Sequence, residues 1–241
     1  MYSMLRRLRG DSTLIAYPNP PNSRIDQHEE YHFKMPEVEE RQLRADFTDE
    51  IITVYQAYSN AIAEAALAAQ RFVSPFKLDR MTWIKPSFLW MMYRSGWGRK
   101  PGQERILAVR MSRSGFEWAL GNACLTHYDP RIYPTSKAWS ELKRTAPVRI
   151  QWDPERTVDL ARLPYRTIQI GLAGVATERY AREWVRRIDE VTGLAHEVEA
   201  LVGQGRETEA VAALPNEKPY PLPADLARAI GCSGTQARDP R

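Results

Sequence analysis

The stretch Arg80-Met81-Thr82-Trp83-Ile84-Lys85-Pro86-Ser87-Phe88-Leu89-Trp90-Met91-Met92-Tyr93-Arg94-Ser95-Gly96-Trp97 changes its structural period half-way along. Over residues 81–85 the side chains alternate, which puts Met81, Trp83 and Lys85 on one side of a short strand and Arg80, Thr82 and Ile84 on the other. Pro86-Ser87 can then start a helix, because proline fits the first turn, where its missing N–H costs nothing. Residues 88–94 continue that helix and Gly96 can cap it. Lys85 therefore stands at the strand's end, beside a helix N-terminus whose free N–H groups and positive dipole end favour an anion. A cation, planar aromatics and backbone donors in one place suit a phosphate attached to a base or another flat group.

On the N-terminal side, residues 48–72 place Ile51, Tyr55, Tyr58, Ile62, Ala65 and Ala69 at three-to-four spacing, which predicts a long helix. On the C-terminal side, 105–111 alternates as a strand and 116–123 and 136–143 read as short helices. Strands are expected at 148–152 and 165–170, with Val148, Ile150 and Trp152 on one face of the first and Arg149 and Gln151 on the other. A second long helix is expected over 172–192, with Val175, Tyr180, Trp184 and Ile188 along its stripe. No internal repeat is visible, and strands and helices mix without regular alternation. The expectation is an α+β fold: a single domain over residues 41–202, with a mixed or antiparallel sheet flanked by two long helices. Residues 1–40 read as a mostly irregular N-terminal extension and 203–241, with Pro215, Pro219, Pro221 and Pro223, as a loosely attached C-terminal tail.

The chain has 241 residues, of which 34 are Lys or Arg and 30 are Asp or Glu. Seven of the cations are lysines, so 34 − 7 = 27 are arginines, beside seven tryptophans. At 43% hydrophobic and 27% charged the composition is that of a globular protein, and no apolar run approaches the roughly 18 residues that a membrane span needs. Cys124 and Cys232 form neither a disulfide framework nor a metal-binding pair, which points to a reducing, cytoplasmic setting. Arg6, Arg7 and Arg9 could begin a transit peptide, but Asp11 arrives early and the amphipathic stretch is short. The net charge of +4 is unevenly spread: residues 71–113 hold ten cations against Asp79 and Glu104, or +8, and leave −4 to the rest of the chain. Trp83, Trp90 and Trp97 lie in the same segment. Ordinary Arg–Trp stacking accounts for part of this, but a local excess of eight charges is harder to explain by internal pairing.

A second constellation is Arg149-Ile150-Gln151-Trp152-Asp153-Pro154-Glu155-Arg156. Asp153-Pro154 can end the strand in a turn and gather Gln151, Asp153, Glu155 and Arg156 at one rim, where an acid beside cations can serve as general base. The plainer reading is an Asx-type turn with a local Glu155–Arg156 pair. Of Arg166 and Gln169, alternation lets at most one share that surface.

His28-Glu29-Glu30-Tyr31-His32 matches the H-E-x-x-H zinc pattern, with Glu50 or Glu64 as a possible third ligand. Its context is poor, because Pro36 stops a helix within a turn of His32. Ser74-Pro75-Phe76-Lys77 fits S-x-x-K without its companion motifs, and Lys77-Leu78-Asp79-Arg80 lacks the glycine of the ligase K-x-D-G. The P-loop, the dinucleotide fingerprint and the nucleophile elbow are all missing. Ile170-Gly171-Leu172-Ala173-Gly174 is a glycine-bearing strand-to-helix turn that suits an anion or close backbone packing equally well.

From Arg41 to about Val202 the chain resembles the family named domain of unknown function 4291. The resemblance rests on Arg41-Gln42-Leu43-Arg44-Ala45, Val54-Tyr55-Gln56-Ala57-Tyr58, the whole 80–97 block, Pro147 to Arg156, and Ile168-Gln169-Ile170-Gly171-Leu172. It implies that the H-E-x-x-H stretch belongs to an extension, and it supplies no mechanism.

The leading expectation is an intracellular protein that binds a nucleotide or nucleic-acid phosphate and acts on it as a transferase-type enzyme. Arg80, Lys85 and Arg94 would hold phosphate, with Arg156 as a further cation. Trp83 and Trp97 would offer stacking faces, Gln56 and Gln151 would orient polar groups, and Asp153 or Glu155 would be the acid-base residue. No metal and no particular cofactor is called for. The alternatives are a non-enzymatic nucleic-acid-binding module, a protein-interaction domain anchored by Arg and Trp, and a zinc hydrolase through His28, Glu29 and His32.

Overall fold

The computed structural model describes residues 41–233, which belong to one compact unit. In chain order, β1 is Arg44–Ala45, β2 Ile51–Tyr58, α1 Asn60–Ala69, β3 Thr82–Ile84, α2 Phe88–Ser95 and β4 Arg105–Ser112. Then come α3 Arg113–Gly121, β5 Ala123–Leu125, α4 Ser136–Thr145, β6 Val148–Arg156 and β7 Arg162–Leu172. The C-terminal part is α5 Val175–Arg179, a single π-turn Tyr180–Trp184, β8 Val185–Glu190, α6 Thr192–Gly203, α7 Glu207–Ala213, β9 Lys218–Pro219 and α8 Ala224–Ile230.

The fold is α+β, with a mixed four-stranded sheet in the order β3-β7-β6-β5. Only β5 and β6 run parallel in it. A second sheet is antiparallel, with β4 between β2 and β8, and β1 pairs with β9. The two larger sheets meet at one backbone bridge, where the Tyr55 N–H donates to the Lys85 carbonyl at 2.7 Å and the Lys85 N–H donates back at 3.3 Å. Lys85 therefore sits on the seam between the sheets.

The strand, cap and helix expected over 80–97 are present: β3 presents Thr82 and Ile84 to the core, and Ser87 caps α2 by accepting the Trp90 N–H at 3.0 Å, while Arg80, expected on the opposite face, lies before β3 and lines the same cavity as Trp83 and Lys85. Gly96 ends the helix in the left-handed conformation at φ 58°. The helix expected over 48–72 is corrected to β2 followed by α1. Residues 52–56 are buried without a break, because β2 is covered on both faces, and a strand covered on both faces loses the alternation that would identify it. Eight consecutive residue pairs with β4 hold it extended. The helix expected over 172–192 is also corrected. Helix is confined to residues 175–184 and to Thr192, where α6 begins, and residues 185–190 turn into a strand on the free edge of β4, with Arg186 and Arg187 exposed. Among the described residues the longest helix is α6, with 12 residues.

The loosely attached tail is corrected as far as residue 233. Its prolines hold short extended links between elements that pack: Tyr220, Leu222, Ala227 and Ile230 are all buried, and the Trp152 indole donates to the Ile230 carbonyl at 2.8 Å. The expectations for residues 1–40, including His28, Glu29 and His32, and for the last eight residues lie outside the described residues. No helix among the described residues is long and apolar enough to cross a membrane.

Candidate functional site

The seam between the sheets opens into a cavity of about 500 Å³. β2 supplies Gln56 and Tyr58, and β3 with its flanks supplies Arg80, Met81, Thr82, Trp83 and Lys85. Arg94 arrives from the last turn of α2, Gln103 from the following loop, Gln151 from β6 and Gln169 from β7. The structure thus brings together Gln56, Arg80, Trp83, Lys85, Arg94 and Gln151 of the residues singled out in the sequence. An adjoining cavity of about 320 Å³ shares Arg80 and Met81 and is lined further by Ile62, Pro75, Phe76 and Lys77.

Trp83 lies where it does because Gly171 is its cross-strand partner. A Cβ at residue 171 would come within 3.0 Å of the indole and 2.8 Å of the Met81 sulfur, so the glycine leaves room for the ring. This accounts for Gly171 by close packing rather than by anion binding.

Lys85 is only 6% exposed, and its amine makes no hydrogen bond or ion pair among the described residues. The amine lies over the Trp90 ring, 5.1 Å from its centroid. Burial, aided by the Arg94 charge, pushes the amine down from 10.5 to about 7, against the opposing pull of Asp153. The Arg80 and Arg94 guanidinium groups are likewise unpaired among the described residues.

Four other cations of the +8 segment are neutralised from outside it. Arg99 pairs with Glu199, Arg105 with Glu190, Arg110 with Asp189, and the Arg113 guanidinium with Glu117 and the Tyr220 hydroxyl. The excess expected to resist internal pairing is therefore partly paired, by acids up to 100 residues away in sequence. Of the cations without an acidic partner among the described residues, Arg80, Lys85 and Arg94 face the cavity and Lys77 lines the adjoining one.

Behind the cavity wall, Asp153 accepts from Gln151 Nε2 at 2.8 Å and from Gln169 Nε2 at 2.5 Å. Gln56 is buried and fully engaged: its amide N–H groups face the Tyr58 hydroxyl, the Thr82 hydroxyl and the Trp83 carbonyl at 2.7–3.1 Å, and its oxygen accepts from Tyr180 at 2.7 Å. Gln56 thereby ties β2 to β3 across the seam.

Three of the sequence-derived site residues lie elsewhere. Trp97 is buried in the cluster around Phe88, Met92 and Ile106, with a left-handed φ of 57°. Glu155 is buried where it accepts from the Ser87 hydroxyl and the Arg156 N–H, both at 2.9 Å, and burial raises its pKa. Arg156 stacks 3.4 Å over the Tyr93 ring centroid. The helix terminus expected to offer free donors is closed, because Glu217 accepts the Phe88 N–H at 2.7 Å and burial pushes that carboxyl up to about 8.

Sequence reasoning missed Tyr58, Thr82 and Gln103. Tyr58 was hidden by the helical reading of β2, and no pattern marks Gln103. Gln169 was one of two open choices, and it shares the cavity face while Arg166 donates to the Trp152 carbonyl.

A family model described as Domain of unknown function (DUF4291) matches residues 42–220. The chain belongs to this family. The DUF4291 match takes in every residue lining the cavity and both strands of the β1–β9 pair. No curated protein matched the sequence.

Proposed function

We propose that this DUF4291 protein binds a nucleotide through its phosphate in the seam cavity and acts on it as a transferase. The observation that carries the reading is Lys85: a buried amine without a carboxylate partner, flanked in the same cavity by two unpaired guanidinium groups. Three like charges around one concave space repel one another, and the buried Lys85 amine is costly to desolvate as well. A phosphate in that space relieves both costs and receives charge-assisted bonds from each cation. The half-buried Trp83 ring on the same strand face offers a flat surface to a base.

The transferase part rests on the same lysine. An amine held near pH 7, with Asp153 within electrostatic reach, is equipped to take or give a proton at neutral pH. The cysteines Cys124 and Cys232 are both free, which supports the cytoplasmic placement.

A non-enzymatic nucleic-acid-binding module is the second reading, favoured by the adjoining cavity, which continues the cationic wall through Arg80 to Lys77. Salt separates the two. A strand crossing several cations loses affinity steeply on a log-log plot against salt, while a mononucleotide pocket gives a shallow slope.

Thermal-shift titration with mononucleotides tests the reading, since a ligand of the folded state raises apparent stability with log concentration. The wild type is expected to respond and a folded Lys85→Ala/Arg80→Ala variant to lose the response. A variant that responds like wild type contradicts the proposal.

A further inference from the structure

Asp153 contributes no surface to the cavity, yet it fixes what two of the cavity's side chains present. An ionised carboxylate only accepts hydrogen bonds, so each glutamine beside it must turn its NH₂ group inward. Gln151 does so to Oδ1 and Gln169 to Oδ2. The two glutamines are direct cross-strand partners on β6 and β7. Residues paired in this way hold their Cβ atoms about 5 Å apart on one face of a sheet. Both amides are planar, so the carbonyl oxygens are held on the side away from Asp153. Neither oxygen accepts a bond among the described residues, and neither is sealed from open space. The usual uncertainty over which end of an amide is oxygen does not arise, because a carbonyl turned to a carboxylate would set two acceptors against each other.

Resting on the nucleotide-binding reading above, we propose that Asp153 locks Gln151 and Gln169 so that the cavity presents paired carbonyl acceptors and selects nucleotides whose base carries an exocyclic amino group. Adenine offers that donor at C6 and cytosine at C4, whereas guanine carries its amino group at C2 and a carbonyl at C6. Hypoxanthine and uracil place a carbonyl oxygen at the same position, where it meets a fixed acceptor and leaves it unpaired. Sites built around a buried hydrogen bond reject the analogue lacking it far more strongly than apolar pockets reject a change of size. Asp153 acts here as a positioning residue.

The experiment is calorimetric titration of the full chain with AMP against IMP and CMP against UMP, with ribose 5-phosphate as a probe of the phosphate contacts alone. The wild type is expected to prefer the amino member of each pair by tenfold or more. In Asp153→Asn the new side chain can accept from one glutamine only at one end, so an amide is released to rotate. The AMP/IMP and CMP/UMP ratios should fall towards unity, while ribose 5-phosphate weakens only as far as the lost pull of Asp153 on Lys85 weakens every phosphorylated ligand alike. If AMP and IMP bind the wild type equally, the inference is overturned and phosphate binding stands. If Asp153→Asn leaves the AMP/IMP and CMP/UMP ratios at their wild-type values, the positioning claim is overturned. If no phosphorylated ligand binds, the nucleotide reading fails and takes the inference with it. The wild-type comparison decides the base preference even if the variant does not fold.

Discussion

Replacing Lys85 by methionine keeps an unbranched side chain of similar length and removes the unpaired buried charge. The amine titrates near 7 in the folded protein against 10.5 for an unperturbed lysine. Each unit of difference corresponds to about 1.4 kcal/mol. The folded pKa is depressed, so between about 7 and 10.5 the unfolded chain holds the proton and the folded protein does not. Stability therefore rises with pH across that window, and the full cost applies below it. A shift of 10.5 − 7 = 3.5 units gives a cost of roughly 5 kcal/mol at pH 5, about 4 kcal/mol at pH 7 and about 2 kcal/mol at pH 9. Lys85→Met should accordingly be more stable than wild type by several kcal/mol at pH 6, with the gap narrowing steadily towards pH 9. Urea unfolding of both proteins at pH 6, 7, 8 and 9, with linear extrapolation to water, measures the gap directly. Other titrating groups cancel in the difference between the two proteins. A methionine variant that is less stable at pH 6, or a gap that does not change with pH, refutes the claim that Lys85 is an uncompensated buried amine.

Three further outcomes are expected. Nucleotide affinity should fall as pH rises from 7 to 9, because neutral Lys85 no longer attracts phosphate, and calorimetry at pH 8 in buffers of different ionisation enthalpy should show proton uptake on binding. Gly171→Ala should destabilise the fold by about 1–3 kcal/mol in denaturant unfolding and weaken nucleotide binding, since the new methyl collides with the Trp83 ring and the Met81 sulfur. Glu217, with its carboxyl raised from 4.5 to about 8, contributes stability that is fully present below 4.5 and lost as pH rises from there through 8, so Glu217→Gln should match wild type near pH 4 and exceed it at pH 9 in the same unfolding assay, its amide oxygen still accepting the Phe88 N–H.

The cavity was partly legible in the sequence because β3 is short and half-covered. Its alternation placed Trp83 and Lys85 on one face, and the same reasoning placed Gln151 opposite the apolar face of β6. β2 was not legible as a strand. Both its faces are covered, and the apolar spacing of Ile51, Tyr55 and Tyr58 fits a helix until β4 pairs with it. The same loss of signal affected Val185 to Glu190, where the stripe through Trp184 and Ile188 continues across a change from helical to extended backbone. Charge counting located the basic segment. It could not show that Glu199, Glu190 and Asp189 neutralise Arg99, Arg105 and Arg110, because those pairs are formed only by long-range folding. Nor could it show that Trp97 turns into the α2 cluster through a left-handed residue, or that Glu155 and Glu217 close the N-terminus of α2 from inside.

Binding of AMP and of adenosine to the full wild-type chain, measured side by side by calorimetry, tests the central claim most directly. With Lys85, Arg80 and Arg94 unpaired around the cavity, AMP is expected to bind at least tenfold more tightly than adenosine at pH 7, a margin carried by charge-assisted bonds to phosphate. Equal binding of the two, or binding of neither, contradicts a cavity built to hold a phosphate.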